Sequence, residues 1–176
     1  MRVYKLDPDA DRFRSYLLAN SADHEVLDEI YGTPQGGRWR PIRVERERES
    51  RKRLPQGDVP CVFIGPPMLA LSRNAVEVLR DLLEPAGELL PLECEDEPLW
   101  LYNCTRFADV LDEAASDLAR FTDGDIKIIR RHEWRAGVAQ ETCFRLPQLH
   151  RSPIYATDTV VDRIRGAGLR GFLFRE

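Results

Sequence analysis

Apolar and polar positions change period several times along the chain, and each change marks an element. VYKL and FRSYLL alternate as strands, and DHEVLDEIYG spaces Val26, Leu27 and Ile30 along one side of a short helix stopped at Gly32. After the loop TPQGG, Trp39, Ile42 and Val44 predict a strand that Pro41 confines to a sheet edge. CVFIG is a short, wholly apolar strand closed by Gly65-Pro66-Pro67. Ser72 stands at an N-cap position before Ala75, Val76, Leu79, Leu82 and Leu83, the apolar stripe of a helix that Pro85 and Gly87 end. ELLPLECE and LWLYNC predict a strand pair turning at Asp96-Glu97-Pro98. Thr105 then predicts the cap of another helix, with Phe107, Val110, Leu111, Ala114, Ala115 and Leu118 on its inner face. Asp109, Asp112, Glu113 and Asp117 fall on its outer face. DIKIIRRHEW, CFRLP and IYAT predict three more strands, Thr157 or Asp158 a final helix carrying Val160, Val161 and Ile164 inward, and GFLF a closing strand.

Helices and strands mix without regular alternation, and several strands are joined as hairpins. The expected fold is therefore α+β, a largely antiparallel mixed sheet with three to four helices packed on it. The turn Leu54-Pro55-Gln56-Gly57 divides an N-terminal subdomain, residues 1–57, from a larger α+β domain, residues 58–176. A chain of 176 residues builds such a core without metal or disulfide staples.

Charge adds a second pattern. The formal net charge is −4, but residues 38–53 carry +5, residues 81–125 carry −11 and residues 126–176 carry +5. A strongly acidic stretch thus lies between two basic ones, and a surface that keeps this segregation steers a basic partner. MRVYKLDPDADRF has no signal-peptide core and no run of apolar residues is long enough to span a membrane, so a cytoplasmic location is expected.

Candidate chemistry is sparse. Cys61, Cys94, Cys104 and Cys143 lack disulfide or zinc spacing, and His24, His132 and His150 lie in no catalytic motif. No cofactor or metal is expected. A small hydrolase using Cys143 with His132 or His150 is one alternative. A nucleic-acid-binding regulator using Arg38–Arg53, with Trp39 as a stacking ring, is another, although Glu45, Glu47 and Glu49 interrupt that basic run.

Three segments in order, LALSRNAVEVLRDLLEPAGELLPLE, LWLYNCTRFADVLD and FRLPQLHRSPIYATDTVVDRIRGAGLRGFLF, carry a resemblance. Over residues 60–176 the chain is similar to the bacterial polymorphic-toxin immunity family first defined on a myxobacterial protein. The resemblance implies a cytosolic, non-enzymatic protein that neutralises a cognate toxin by occlusion. It brings structural positions rather than catalytic ones: Ser72 and Asp158 as caps, Pro91 in a strand, Asn103 at a turn and Gly171 at a close approach. Together with the charge pattern it points to a toxin with a basic contact face, met by Glu93, Glu95, Asp96, Glu97, Asp109, Asp112 and Glu113, with Trp134 as an aromatic anchor. Neither membrane nor nucleic acid is an expected partner.

Overall fold

The computed structural model describes residues 1–47, 54–62, 68–149 and 151–176. The end of the CVFIG strand, the Arg-rich run from Arg48 to Arg53 and His150 lie outside the described residues. The strands are β1 (Val3–Pro8), β2 (Ser15–Leu18), β3 (Val44–Arg46), β4 (Cys61–Val62), β5 (Leu69–Ser72), β6 (Gly87–Leu92), β7 (Leu99–Cys104), β8 (Asp117–Arg120), β9 (Ile126–Arg131), β10 (Cys143–Phe144), β11 (Tyr155–Thr157) and β12 (Phe172–Arg175). The α-helices are α1 (Asp23–Ile30), α2 (Arg73–Leu83) and α3 (Asp158–Gly166). The fold is α+β, with every strand pair antiparallel except β2 with β4.

Among the described residues the strands divide among four small sheets rather than one: β10-β11-β1-β12, β3-β2-β4, β5-β7-β6 and the ribbon β8-β9. β1, from the N-terminal side of the expected boundary at residue 57, is hydrogen-bonded on both edges, to β11 and to β12.

The pleat of β7 explains how the layers stack. Leu99 and Leu101 face a core built with Tyr16, Leu27, Ile30, Ile42, Val44 and Leu92. Tyr102 and Cys104 face the other way, against Ala75, Val76, Leu79 and Leu83 of α2 and Val160, Val161 and Ile164 of α3. Tyr4 and Leu6 of β1 and Ala156 of β11 join that second core. α2 and α3 thus bridge two sheets. Ser72 caps α2 by accepting a hydrogen bond from the Ala75 N–H at 3.2 Å. At α3 the N-cap is Thr157 without a side-chain cap bond, and Asp158 instead accepts from the Arg2 N–H at 2.7 Å. Gly171, at φ 97°, brings the chain so close to Val59 that a Cβ would sit 3.1 Å from its carbonyl oxygen.

The helix expected after Thr105 is absent. Long-range partners claim that backbone instead: Ala108 N–H donates to Arg145 O, Arg135 N–H to Val110 O and Asp112 N–H to Glu133 O. Ala108, Val110 and Leu111 enter a third core with Val3, Phe144, Leu146 and Tyr155, while Phe107, Ala114 and Ala115 are exposed. An accidental helical spacing was overridden by tertiary pairing, and the residues expected on its outer face share no helix surface. Val26 of α1, expected inward, is also exposed, and LALS forms β5, a strand the apolar pattern did not separate from the helix cap.

Candidate functional site

Most of the proposed acidic contact residues make contacts within the chain. Glu95 pairs with Arg43 at 2.7 Å, with Glu93 3.9 Å from the same guanidinium. Glu97 accepts from the Tyr16 hydroxyl at 2.6 Å and from the Gln56 amide. Only Asp96 of the hairpin acids stands exposed with no recorded side-chain bond among the described residues. Asp109 lies 3.1 Å from Arg135 and accepts from Gln148 at 2.6 Å. Glu113 pairs with Arg120 at 2.7 Å. Asp112 folds its own turn by accepting from the N–H groups of Ala114 and Ala115. The hairpin acids and the 109–113 acids share no partner. Arg43 and Arg135, from the two basic stretches, thus interleave with the acidic residues.

Two side chains in the described part of the basic run, Trp39 and Arg43, are also committed. Trp39 donates its indole N–H to Pro91 O at 2.8 Å and packs against the core beside β6, so it is an anchor to the sheet rather than an open stacking ring. Arg43 is taken by glutamates.

Cys143 is wholly enclosed, and burial pushes its thiol well above the ordinary range. Cys104, beside it in the same core, is raised for the same reason. No hydrogen bond joins Cys143 to a histidine among the described residues, and no group of three or more His, Cys, Asp or Glu there is placed to hold a metal ion. Cys104 and Cys143 are therefore expected to resist iodoacetamide in the folded protein at pH 8 and to react on unfolding in urea. Mass spectrometry of the native sample, showing either residue alkylated at the rate of a denatured control, would contradict their burial.

A different recess has the makings of a site. The alternation of β1 sends Tyr4 and Leu6 to the helix core and leaves Val3 and Lys5 on the opposite face. β12 runs alongside with Lys5 opposite Arg175. The end of β9 and the turn after it, Arg130 to Trp134, border that face and leave an open cleft of about 360 Å³. Arg2, Lys5, Arg130, Arg131 and Arg175 line it against one carboxylate side chain, Glu176. Its apolar wall is a cluster of rings. His132 stacks on Trp134 at 5.1 Å and 11°, its Nε2 lies 3.0 Å from the Tyr155 hydroxyl, and Phe144 backs both Trp134 and Tyr155.

The cleft cations are held loosely. Arg2–Glu176 and Arg175–Asp7 span 3.5 Å, and Arg130–Asp117 and Arg131–Glu133 span 3.4 Å, with all four guanidinium side chains mostly exposed. Such pairs contribute little, and an incoming carboxylate can compete for them. The tightest is Lys5–Asp7 at 3.0 Å.

Burial lowers the pKa of His132, so the folded chain favours the neutral ring. The unfolded chain, with an ordinary value of about 6.5, binds this proton more readily. His132 thus contributes stability that is present above about pH 6.5 and is lost as pH falls through its lower folded value. Between pH 7 and pH 5 the urea midpoint of the wild type is expected to fall more steeply than that of His132→Phe; parallel curves would contradict the assignment.

Trp134 is the one proposed contact residue that the fold brings into this cleft. Arg2, Lys5, Arg130, Arg131, His132 and Arg175 were missed. The net charge of residues 126–176 was their signal, but joining it to residues 2 and 5 required the pairing of β1 with β12. No family model matches the chain, and no curated protein matches it in sequence.

Proposed function

We propose that this chain is a non-catalytic immunity protein that binds a cognate toxin and neutralises it by occlusion. The observation that carries the reading is the cleft between β1 and the end of β9. It offers Arg, Trp, Tyr and His side chains, with Arg, Trp and Tyr being the types that dominate the energetics of protein interfaces. The two buried thiols make poor nucleophiles, which favours binding over hydrolysis. Of the residues behind the resemblance, Ser72 caps α2, Asn103 holds the turn at Gly32 and Thr33 and Gly171 meets Val59, while Asp158 does not cap α3. Action in the cytoplasm belongs to the same reading; among the described residues no helix is long and apolar enough to cross a membrane.

Co-expression with the product of the adjacent gene is the test. Restored growth and a complex of the two proteins at micromolar concentration are expected. No rescue together with no complex would contradict the reading.

A further inference from the structure

We propose that the cleft between β1 and the end of β9 is the docking site for an acidic segment of the partner protein, whose Asp or Glu carboxylates replace the weak ion pairs at its rim. This rests on the reading of the chain as a toxin-binding protein, and it reverses the expected polarity of contact. The chain offers cations to a carboxylate-bearing partner rather than acids to a basic one.

Three observations converge. First, the groups of opposite sign are committed unequally. Glu95, Glu113 and Glu141 sit 2.7 Å from their arginines, and Arg106 grips Glu141 through two nitrogens. At the cleft, Arg2, Arg130, Arg131 and Arg175 are mostly exposed and stand 3.4–3.5 Å from their carboxylates, while Lys5 is held closer, 3.0 Å from Asp7. A new carboxylate thus displaces only weak, exposed pairs at the four cleft arginines. Second, the lining is five cations to one carboxylate around a ring cluster, which supplies both charge complementarity and buried aromatic area. Third, about 360 Å³ suits a few side chains of an inserted segment. Asp7, Asp117, Glu133 and Glu176 each pair with a cleft cation, so the cations are set apart as targets for discrete carboxylates rather than joined in the unbroken basic track that a phosphodiester chain follows.

His132 is faced by Trp134 and Tyr155 and flanked in sequence by Arg131 and Glu133. Its ring signals therefore report occupancy of the cleft.

Two charge reversals on opposite walls, Arg130→Glu with Arg131→Glu and Arg2→Glu with Arg175→Glu, keep the test open if either variant misfolds. Calorimetry with a catalytically inactive toxin from the adjacent gene is expected to show binding weakened about tenfold or more by a folded reversal variant. Asp109→Lys with Glu113→Lys is expected to change it less than twofold. Equal binding by wild type and both cleft variants would overturn the docking site and leave the immunity reading standing. If the toxin does not bind the wild type, the immunity reading fails. The cleft is then judged by a polyglutamate peptide: salt-sensitive shifts of the His132 and Trp134 ring protons support it, and no shifts at millimolar peptide overturn it. Tighter occupancy by a single-stranded oligonucleotide than by polyglutamate would overturn the choice of ligand.

Discussion

Replacing Arg145 by alanine is expected to lower the free energy of unfolding by about 3–5 kcal/mol, the range for emptying a large buried side-chain site. Arg145 is among the largest fully buried side chains of the protein. Its Nε donates to Cys104 O at 2.9 Å, Nη1 donates to Ser152 O, and the guanidinium lies 4.0 Å over the ring of Tyr31, whose hydroxyl also donates to Ser152 O. One side chain therefore ties the end of β7, the exit of α1 and the loop before β11. No carboxylate pairs with it among the described residues, so charge desolvation opposes these contacts. Arg145→Met separates the two effects because it keeps most of the volume and removes the donors. Ser152 O retains the Tyr31 hydroxyl, whereas Cys104 O loses this donor, and an orphaned buried acceptor costs about 1–3 kcal/mol. Urea titration is expected to order the proteins wild type, Arg145→Met, Arg145→Ala from most to least stable. A methionine variant more stable than wild type would show that the cost of burying the lone cation exceeds the value of its contacts.

Asn103→Leu is expected to cost about 2–4 kcal/mol, because it strips two backbone groups of their partners while conserving volume. Asn103 is fully buried in β7; its Oδ1 accepts from Gly32 N–H at 3.0 Å and its Nδ2 donates to Thr33 O at 2.9 Å. Glu88 secures the next residues by accepting from the N–H groups of Gln35 and Gly36, each at 2.8 Å. Loss of the amide should free the turn at Gly32 while Glu88 still holds Gln35 and Gly36. Hydrogen exchange should quicken at Gly32 well before it quickens in β6 or β7. Unchanged stability and exchange would mean that the turn does not depend on Asn103.

The contrast between these residues shows what a linear pattern reveals. Asn103 lies in LWLYNC, whose alternation correctly forecast a strand because its partner, β6, is nearby in sequence. The α2 stripe and its Ser72 cap were legible for the same reason: their determinants are local. The segment from Thr105 to Ser116 misled because its apolar spacing satisfies a helix, while the bonds that decide its backbone come from Glu133, Arg135 and Arg145. Arg145 lies in CFRLP, which reads as a strand, yet β10 ends at Phe144 and the guanidinium is fully buried. Net charge by segment located the cations and acids but not their pairing. Asp109 finds Arg135 and Glu113 finds Arg120 only through the β8-β9 ribbon and the chain flanking it. The cleft was illegible because Arg2 and Lys5 lie more than a hundred residues from Arg130, His132 and Trp134.

The most direct test of neutralisation through this cleft is the association rate with the inactive toxin, measured by stopped flow over a range of salt concentrations. The account predicts that Arg130→Glu with Arg131→Glu slows association about tenfold at low salt and flattens its salt dependence, while Asp109→Lys with Glu113→Lys leaves the rate near that of the wild type. Slower association for the acidic-residue reversal, with none for the arginine reversal, would contradict it.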